Sequence, residues 1–209
     1  MEERCYTASG KVNSPCGPCS LINMLNWKGS TELEAKLAEM GRAKPFHFSD
    51  FSSFLVWNRK YGLGLRFFVR NKNLTEEMFK SVYKSENIQK NRLYMKFMAL
   101  LRHKLIVFGN RNIINPLPGN PVDKIDELIN EGYVVAYLVC VWSKSNNDWL
   151  GHWRVAYGKK NGKYLVKDSA KSKAPGFLVL TRKEMNESIS DLNRLKAFPQ
   201  LVAFKSKLK

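Results

Sequence analysis

The dipeptide Asn161-Gly162 constrains the fold of this 209-residue chain more than any other local feature. It stands between two short segments rich in strand-forming residues, 152–157 and 163–167. Asn-Gly is the strongest short signal for a two-residue turn between antiparallel strands, because both residues tolerate a positive φ. The sequence therefore predicts a β-hairpin at 152–168, in which Asp168 closes the second strand.

Helical patterns fill the first half of the chain, and strand patterns dominate the second. Thr31 with Glu34 forms a capping-box pattern, and so does Thr181 with Glu184. Segment 134–141 is a β-branched apolar run typical of a buried strand, and 201–204 is expected to be the last strand. Further helices are expected at about 16–27, 31–41, 49–60, 75–83, 88–102 and 123–131. Helices followed by an antiparallel sheet indicate the α+β class, and we expect one domain over 1–209.

The net charge is strongly positive, with 35 Lys and Arg against 18 Asp and Glu, a formal +17. Such a charge predicts attraction to an anionic partner, an acidic protein or nucleic acid. The basic residues are spread along the chain, which is weaker support for a dedicated groove than a cluster would be. No apolar segment is long enough to cross a membrane and no signal peptide pattern is present, so we expect a cytoplasmic protein without a transmembrane segment.

Aromatic residues lie near basic ones in the segment 57–70, and two interpretations are open. The aromatic side chains could stack on nucleic-acid bases, with the arginines and lysines on the phosphates. They could equally form the inner face of a helix and a strand, which is the commoner situation and the one we favour. The aromatic residues concerned are Trp57, Tyr61, Phe67 and Phe68.

Cys16 has the sequence context of a reactive thiol. Gly17-Pro18 follows it, and apolar residues then recur at helical spacing, so Cys16 is expected at a helix N-terminus. Free backbone N–H groups and the helix dipole stabilise a thiolate there, while Gly17 leaves room for a substrate carbonyl. The pattern is typical of a cysteine nucleophile.

The other cysteines favour different interpretations. Cys19 gives the segment the Cys-x-x-Cys form of redox proteins, but residues 7–15 are too polar for the strand that should precede such a motif. Packing inside the fold is the preferred interpretation for Cys19, Cys5 and Cys140. Four cysteines without a secretory signal do not indicate a disulfide framework, so reduced thiols are expected.

A base and an orienting carboxylate for Cys16 are available in the hairpin. His152 begins the first strand and Asp168 ends the second, so the turn brings both to the same end. A carboxylate can then hold one imidazole nitrogen while the other faces the thiol, as thiol hydrolases require. With only three histidines in the chain we expect no metal site and no cofactor.

These motifs resemble those of papain-like peptidases related to the bacteriocin-processing, double-glycine leader peptidases. The matching segments are Cys16-Gly17-Pro18-Cys19-Ser20-Leu21, Gly151-His152-Trp153 with Gly158, and Val166-Lys167-Asp168-Ser169. The resemblance implies a papain-like fold in which Cys16, His152 and Asp168 cleave an amide bond of a peptide or protein through an acyl-enzyme. Residues 45–115 have no counterpart in it.

One departure from that family concerns the oxyanion. The family commonly has a Gln shortly before the cysteine, whereas the only glutamines here are Gln89 and Gln200. Asn13 is the candidate to replace it, together with the Cys16 backbone N–H. A peptidase is the first interpretation, and acyl transfer or deamidation would use the same residues. A basic papain-like binding module with weak or absent catalysis and a Cys-x-x-Cys redox protein are the alternatives.

Overall fold

Within the part of the chain that the structure describes, seven strands form one sheet, and helices pack against both of its faces. The computed structural model describes residues 6, 16–41, 51–70, 109, 112–143, 147–169, 176–195 and 199–205. The helices are α1 (Cys16–Leu25), α2 (Thr31–Gly41), α3 (Phe51–Tyr61), α4 (Pro121–Asn130) and α5 (Arg182–Ser190), with a 3-10 turn at Asp191–Leu195. The strands are β1 (Arg66–Val69), β2 (Ile114–Pro116), β3 (Tyr133–Ser143), β4 (Asp148–Lys160), β5 (Lys163–Asp168), β6 (Phe177–Leu180) and β7 (Gln200–Lys205).

The helix starts follow the capping chemistry of the sequence, with one correction. Thr181 and Glu184 form the expected capping box of α5. At α2 the prediction that Thr31 is the cap is wrong by one residue, because the hydroxyl of Ser30 accepts from the Leu33 N–H at 3.1 Å. The helices expected at 75–83 and 88–102 lie outside the described residues. None of the helices that the structure describes combines the length and apolar character that crossing a membrane requires.

The sheet has the strand order β2-β1-β7-β3-β4-β5-β6. Every neighbouring pair is antiparallel except β1 and β2, which are parallel. The α+β class is confirmed, with the N-terminal helix α1 packed beside a sheet whose C-terminal strands are antiparallel. The strand expected around Phe67 and Phe68 is present as β1, whereas the short strands β2 and β6 are additions that the sequence patterns did not reveal.

Two apolar clusters lie on opposite faces of the sheet. One contains α1 to α3, and the other contains α4, α5 and the 3-10 turn. Trp57 and Phe67 are fully buried in the first cluster, and Phe68 is 5% exposed in the second. Burying a side chain of this size contributes about 1.5–3 kcal/mol each. These aromatic residues are therefore core, and the alternative of a base-stacking surface is wrong for them.

Candidate active site

Helix α1 places Cys16 at its first position, as expected. The side chain is partly buried, while Gly17, Pro18 and Cys19 behind it are buried. Pro18 lies in the first turn, where its missing N–H removes no helical hydrogen bond. The sulfur therefore lies beside the unpaired backbone N–H groups of a helix start, and the Gly17 N–H is directed at it.

The edge of β4 that extends beyond β5 holds this helix start in place, while the other edge of β4 pairs with β3. Strand β5 ends at Asp168, opposite Arg154, so β4 runs past it toward Asp148. Beyond the end of β5, the Trp153 carbonyl accepts a 3.1 Å hydrogen bond from the buried hydroxyl of Ser20 on α1. The Trp153 N–H is directed at the Cys16 sulfur. Because β5 ends at Asp168, the backbone groups of Trp153 have no β5 partner and are available to α1. They hold α1 beside His152.

The hairpin turn has the geometry that its sequence predicts. Asn161 has φ 51° and Gly162 has φ 74°, both in the left-handed region required by a two-residue turn that continues the strand twist. The strands on either side are β4 and β5. His152 and Asp168 come to the same end of this hairpin, as expected.

A β-bulge at Tyr157 determines which face of the hairpin Asp168 occupies. Between the turn and Asp168, β4 contains one residue more than β5, because the register shifts on either side of Tyr157. With regular pairing, Asp168 would lie opposite Val155, whose side chain is in the core. Instead Asp168 lies opposite Arg154. Since side chains alternate along a strand, Asp168 shares a face with His152, two residues from Arg154.

The imidazole of His152 connects Cys16 to Asp168. His152 Nε2 lies 2.7 Å from Asp168 Oδ1, and each residue is 8% exposed. Because this contact engages Nε2, Nδ1 is the nitrogen left for the hydrogen bond between His152 and the Cys16 sulfur. The three residues predicted from the sequence thus come together as thiol, imidazole and carboxylate.

The protonation equilibria favour a charged pair. Burial acts to raise the pKa of the Cys16 thiol, but the hydrogen bond and charge of His152 and the N–H groups of Trp153 and Gly17 lower it below its ordinary value. Burial acts to lower the pKa of His152, but hydrogen bonds to Asp168 and Cys16 raise it to about 9. Between these two pKa values the stable form is a thiolate beside an imidazolium.

Arg154 is a member of the site that the sequence reasoning missed. Its Nε donates to Asp168 Oδ2 at 2.7 Å, so both oxygens of this carboxylate have cationic partners. The only available signal was its position, two residues after His152 on the same strand. In a chain with 35 Lys and Arg, an arginine near a histidine is expected by chance, so this position alone does not indicate a role.

The remaining candidate residues lie elsewhere. Asn13, the oxyanion candidate, and Cys5 lie outside the described residues. Cys19 is fully buried and Cys140 is 5% exposed, and neither forms a disulfide, in line with the packing interpretation. Across the described ranges no three His, Cys, Asp or Glu side chains come close enough together to hold a metal ion.

Basic residues near the hairpin turn are neutralised by acidic residues of α4. Lys159 Nζ lies 2.6 Å from Asp126 Oδ1, and Arg182 forms ion pairs with both Asp123 and Asp126. Such surface pairs add little stability, but they reduce the positive potential on this side of the molecule. This region therefore gives no support to the prediction of an anionic partner.

Comparison with known proteins gives a likeness in structure and none in sequence. No protein-family model and no curated protein matches the sequence. The fold is similar to that of a crystal structure from Bacillus anthracis described as a "putative C39-like peptidase", with 12% sequence identity and a TM-score of 0.48. The likeness covers 100% of this chain and 96% of that chain. It concerns the fold alone, and the chemistry of the site follows from its own geometry.

Proposed function

We propose that this chain is a thiol hydrolase of the cysteine peptidase type, with Cys16 as nucleophile, His152 as acid and base, and Asp168 as the residue that orients His152. The observation that carries this proposal is the continuous set of hydrogen bonds from the Cys16 sulfur through the imidazole to Asp168 Oδ1, whose last step is 2.7 Å. An unreactive packing cysteine has no need of a buried imidazole and carboxylate aligned behind it.

In the first half of the reaction the Cys16 thiolate attacks the carbonyl carbon of a substrate amide. The oxygen of the tetrahedral intermediate becomes negative, and free N–H groups at the start of α1 are suited to stabilise it. The C–N bond then breaks while the proton on His152 Nδ1 passes to the leaving nitrogen. The products of this step are a free amine and a thioester on Cys16.

In the second half water attacks the thioester carbonyl, and the now neutral His152 removes a proton from that water. The C–S bond breaks, the carboxylic acid leaves, and the thiolate beside the imidazolium is restored. Asp168 stays ionised throughout and holds one tautomer of His152. An amine in place of water would give acyl transfer, and a side-chain amide as substrate would give deamidation.

The expected substrate is an amide bond in a peptide or protein. Asn13 stays the proposed side-chain donor to the oxyanion, beside the Cys16 backbone N–H. We also propose one domain over 1–209, a cytoplasmic location and recruitment of an anionic partner by the +17 charge. These further proposals rest on sequence patterns and composition.

The test is acylation of the purified protein by p-nitrophenyl acetate, followed by intact mass and peptide mapping. We expect an acetyl group on Cys16, no acylation of Cys16→Ala, and at least a hundredfold slower acylation of His152→Ala, about the contribution of a general base. Cys19→Ala is the matched control and should react like the native protein, because Cys19 is buried behind the site.

Two results would contradict the proposal. Equal acylation of the native protein and Cys16→Ala would remove Cys16 from the chemistry. Loss of disulfide reductase activity in both Cys16→Ala and Cys19→Ala, without any acylation of the native protein, would establish the redox alternative.

A further inference from the structure

The Asp168 carboxylate is shared between two cationic side chains of the same strand. Its Oδ1 contacts His152 Nε2 and its Oδ2 accepts from Arg154 Nε, each at 2.7 Å. The side chains of Arg154 and Asp168 are 18% and 11% exposed, so water screens this pair weakly. The charge of one carboxylate is therefore divided between an imidazole and a guanidinium.

A tyrosine of β3 lies next to this arrangement. Tyr137 on β3 lies opposite Arg154, is fully buried, and its hydroxyl has no hydrogen-bond partner within the described part of the chain. The titratable groups that act on His152 are Cys16 from α1 and Asp168 from β5, and the charges of Asp168 and Arg154 also act on Tyr137 of β3. Arg154 is the fixed positive charge among them.

We propose that Arg154 is a positioning residue that acts on His152 through Asp168, holding its second oxygen and limiting how firmly the imidazole retains a proton. This inference rests on the function proposed above. A buried carboxylate that faced the imidazolium alone would stabilise the protonated imidazole strongly, since two unit charges 4 Å apart attract by about 4 kcal/mol at an effective dielectric constant of 20. By sharing the carboxylate, Arg154 leaves His152 able to deliver its proton.

The consequence differs between leaving groups. An amine is a poor leaving group and needs a proton from His152, so an imidazole that holds its proton too firmly slows amide cleavage. A p-nitrophenolate leaves without such help. Loss of Arg154 should therefore slow amide cleavage more than cleavage of the matching p-nitrophenyl ester.

The experiment compares Arg154→Met, Arg154→Gln and Arg154→Lys with the native protein. The rate of Cys16 alkylation by iodoacetate, divided by the rate with iodoacetamide, is measured against pH at constant ionic strength. Iodoacetate is anionic and is attracted by the imidazolium, so this ratio falls where His152 loses its proton. Arg182→Met is the matched control, because Arg182 forms ion pairs with acidic residues of α4 instead.

In Arg154→Met and Arg154→Gln, we expect the pH at which the ratio falls to be higher than in the native protein by at least about half a pH unit. It should return close to the native position in Arg154→Lys, which keeps the charge, and stay unchanged in Arg182→Met. No shift, or a downward shift, in both neutral variants would overturn the proposal, and a lower melting temperature alone would mark Arg154 as a purely structural partner. The alkylation ratio can be measured on a protein that does not turn over substrate. A failure of this inference is therefore distinguishable from a failure of the proposed hydrolase function, which the acylation experiment tests.

Discussion

Replacing Asp168 by Asn tests the part of the site that sets the protonation of His152. Asn has nearly the same shape but lacks the charge, so the strand end and its packing are kept. The hydrogen bond to Asp168 is the largest of the effects that raise the pKa of His152, and the charge of Asp168 adds to it. Both lower the free energy of the imidazolium, and the charge is lost entirely in the variant.

The size of the effect follows from the raised pKa. The pKa of His152 lies at about 9 against an ordinary value of 6.5. This difference corresponds to roughly 3 kcal/mol in favour of the charged form. Asp168 and Cys16 share the upward effects, so Asp168→Asn should lower the pKa by more than about one unit. Arg154, left without its carboxylate, acts in the same direction because it repels the imidazolium.

The assay is the ratio of iodoacetate to iodoacetamide alkylation at Cys16 against pH, with circular dichroism as a check that the variant is folded. In the native protein the ratio should fall near pH 9, the pKa of His152. In Asp168→Asn the fall should lie more than about one pH unit lower, and acylation should be slower but not abolished. A native profile in the folded variant would refute the assignment of Asp168 as the partner that raises the pKa of His152.

Two further predictions concern salt and stability. If the +17 charge recruits an anionic partner, rising salt should weaken binding of that partner, because exposed charges are screened over about 8 Å at physiological ionic strength. The pH profile of Cys16 alkylation should stay nearly constant, because the groups of the site interact at contact distances. Binding that is insensitive to salt would reduce the charge to a role in solubility. Because the pKa of His152 is raised from 6.5 to about 9, its protonation stabilises the fold fully below pH 6.5 and less as the pH rises through 9. The difference in free energy of unfolding between the native protein and His152→Ala, measured by urea titration, should therefore shrink over that range. A difference that grows would contradict the direction of the pKa shift.

The sequence was sufficient to predict the parts of the site that depend on local chemistry. The position of Cys16 follows from the Gly-Pro that starts α1, and the turn follows from the φ values that Asn161 and Gly162 tolerate. His152 and Asp168 were brought together by counting from that turn. Each of these inferences uses residues close to one another in the chain, where the preferences of single residues decide the structure.

The parts that were missed depend on contacts between distant segments. The bulge at Tyr157 lies next to Gly158, and a glycine inside a strand pattern is only a general sign of a bulge that does not fix which residue is extra. The short strand β2 pairs with β1, which in turn pairs with β7, so β2 is held by a segment distant in the sequence and not by its own propensity. The role of Arg154 became visible only when Asp168 was placed opposite it, and Ser30 capped α2 because the helix began one residue earlier than its Thr suggested.

The bulge also determines where this hairpin could accept a change of length. Deleting one residue of β5 between the turn and Asp168 would place the carboxylate opposite Val155, on the face of the apolar core, whereas deleting the bulged Tyr157 would leave Asp168 opposite Arg154. The turn itself, with Asn161 and Gly162 exposed, could be lengthened without altering the pairing beyond it. A reporter peptide inserted at that turn should therefore leave the three side chains aligned, whereas a change in the length of β5 should misalign them.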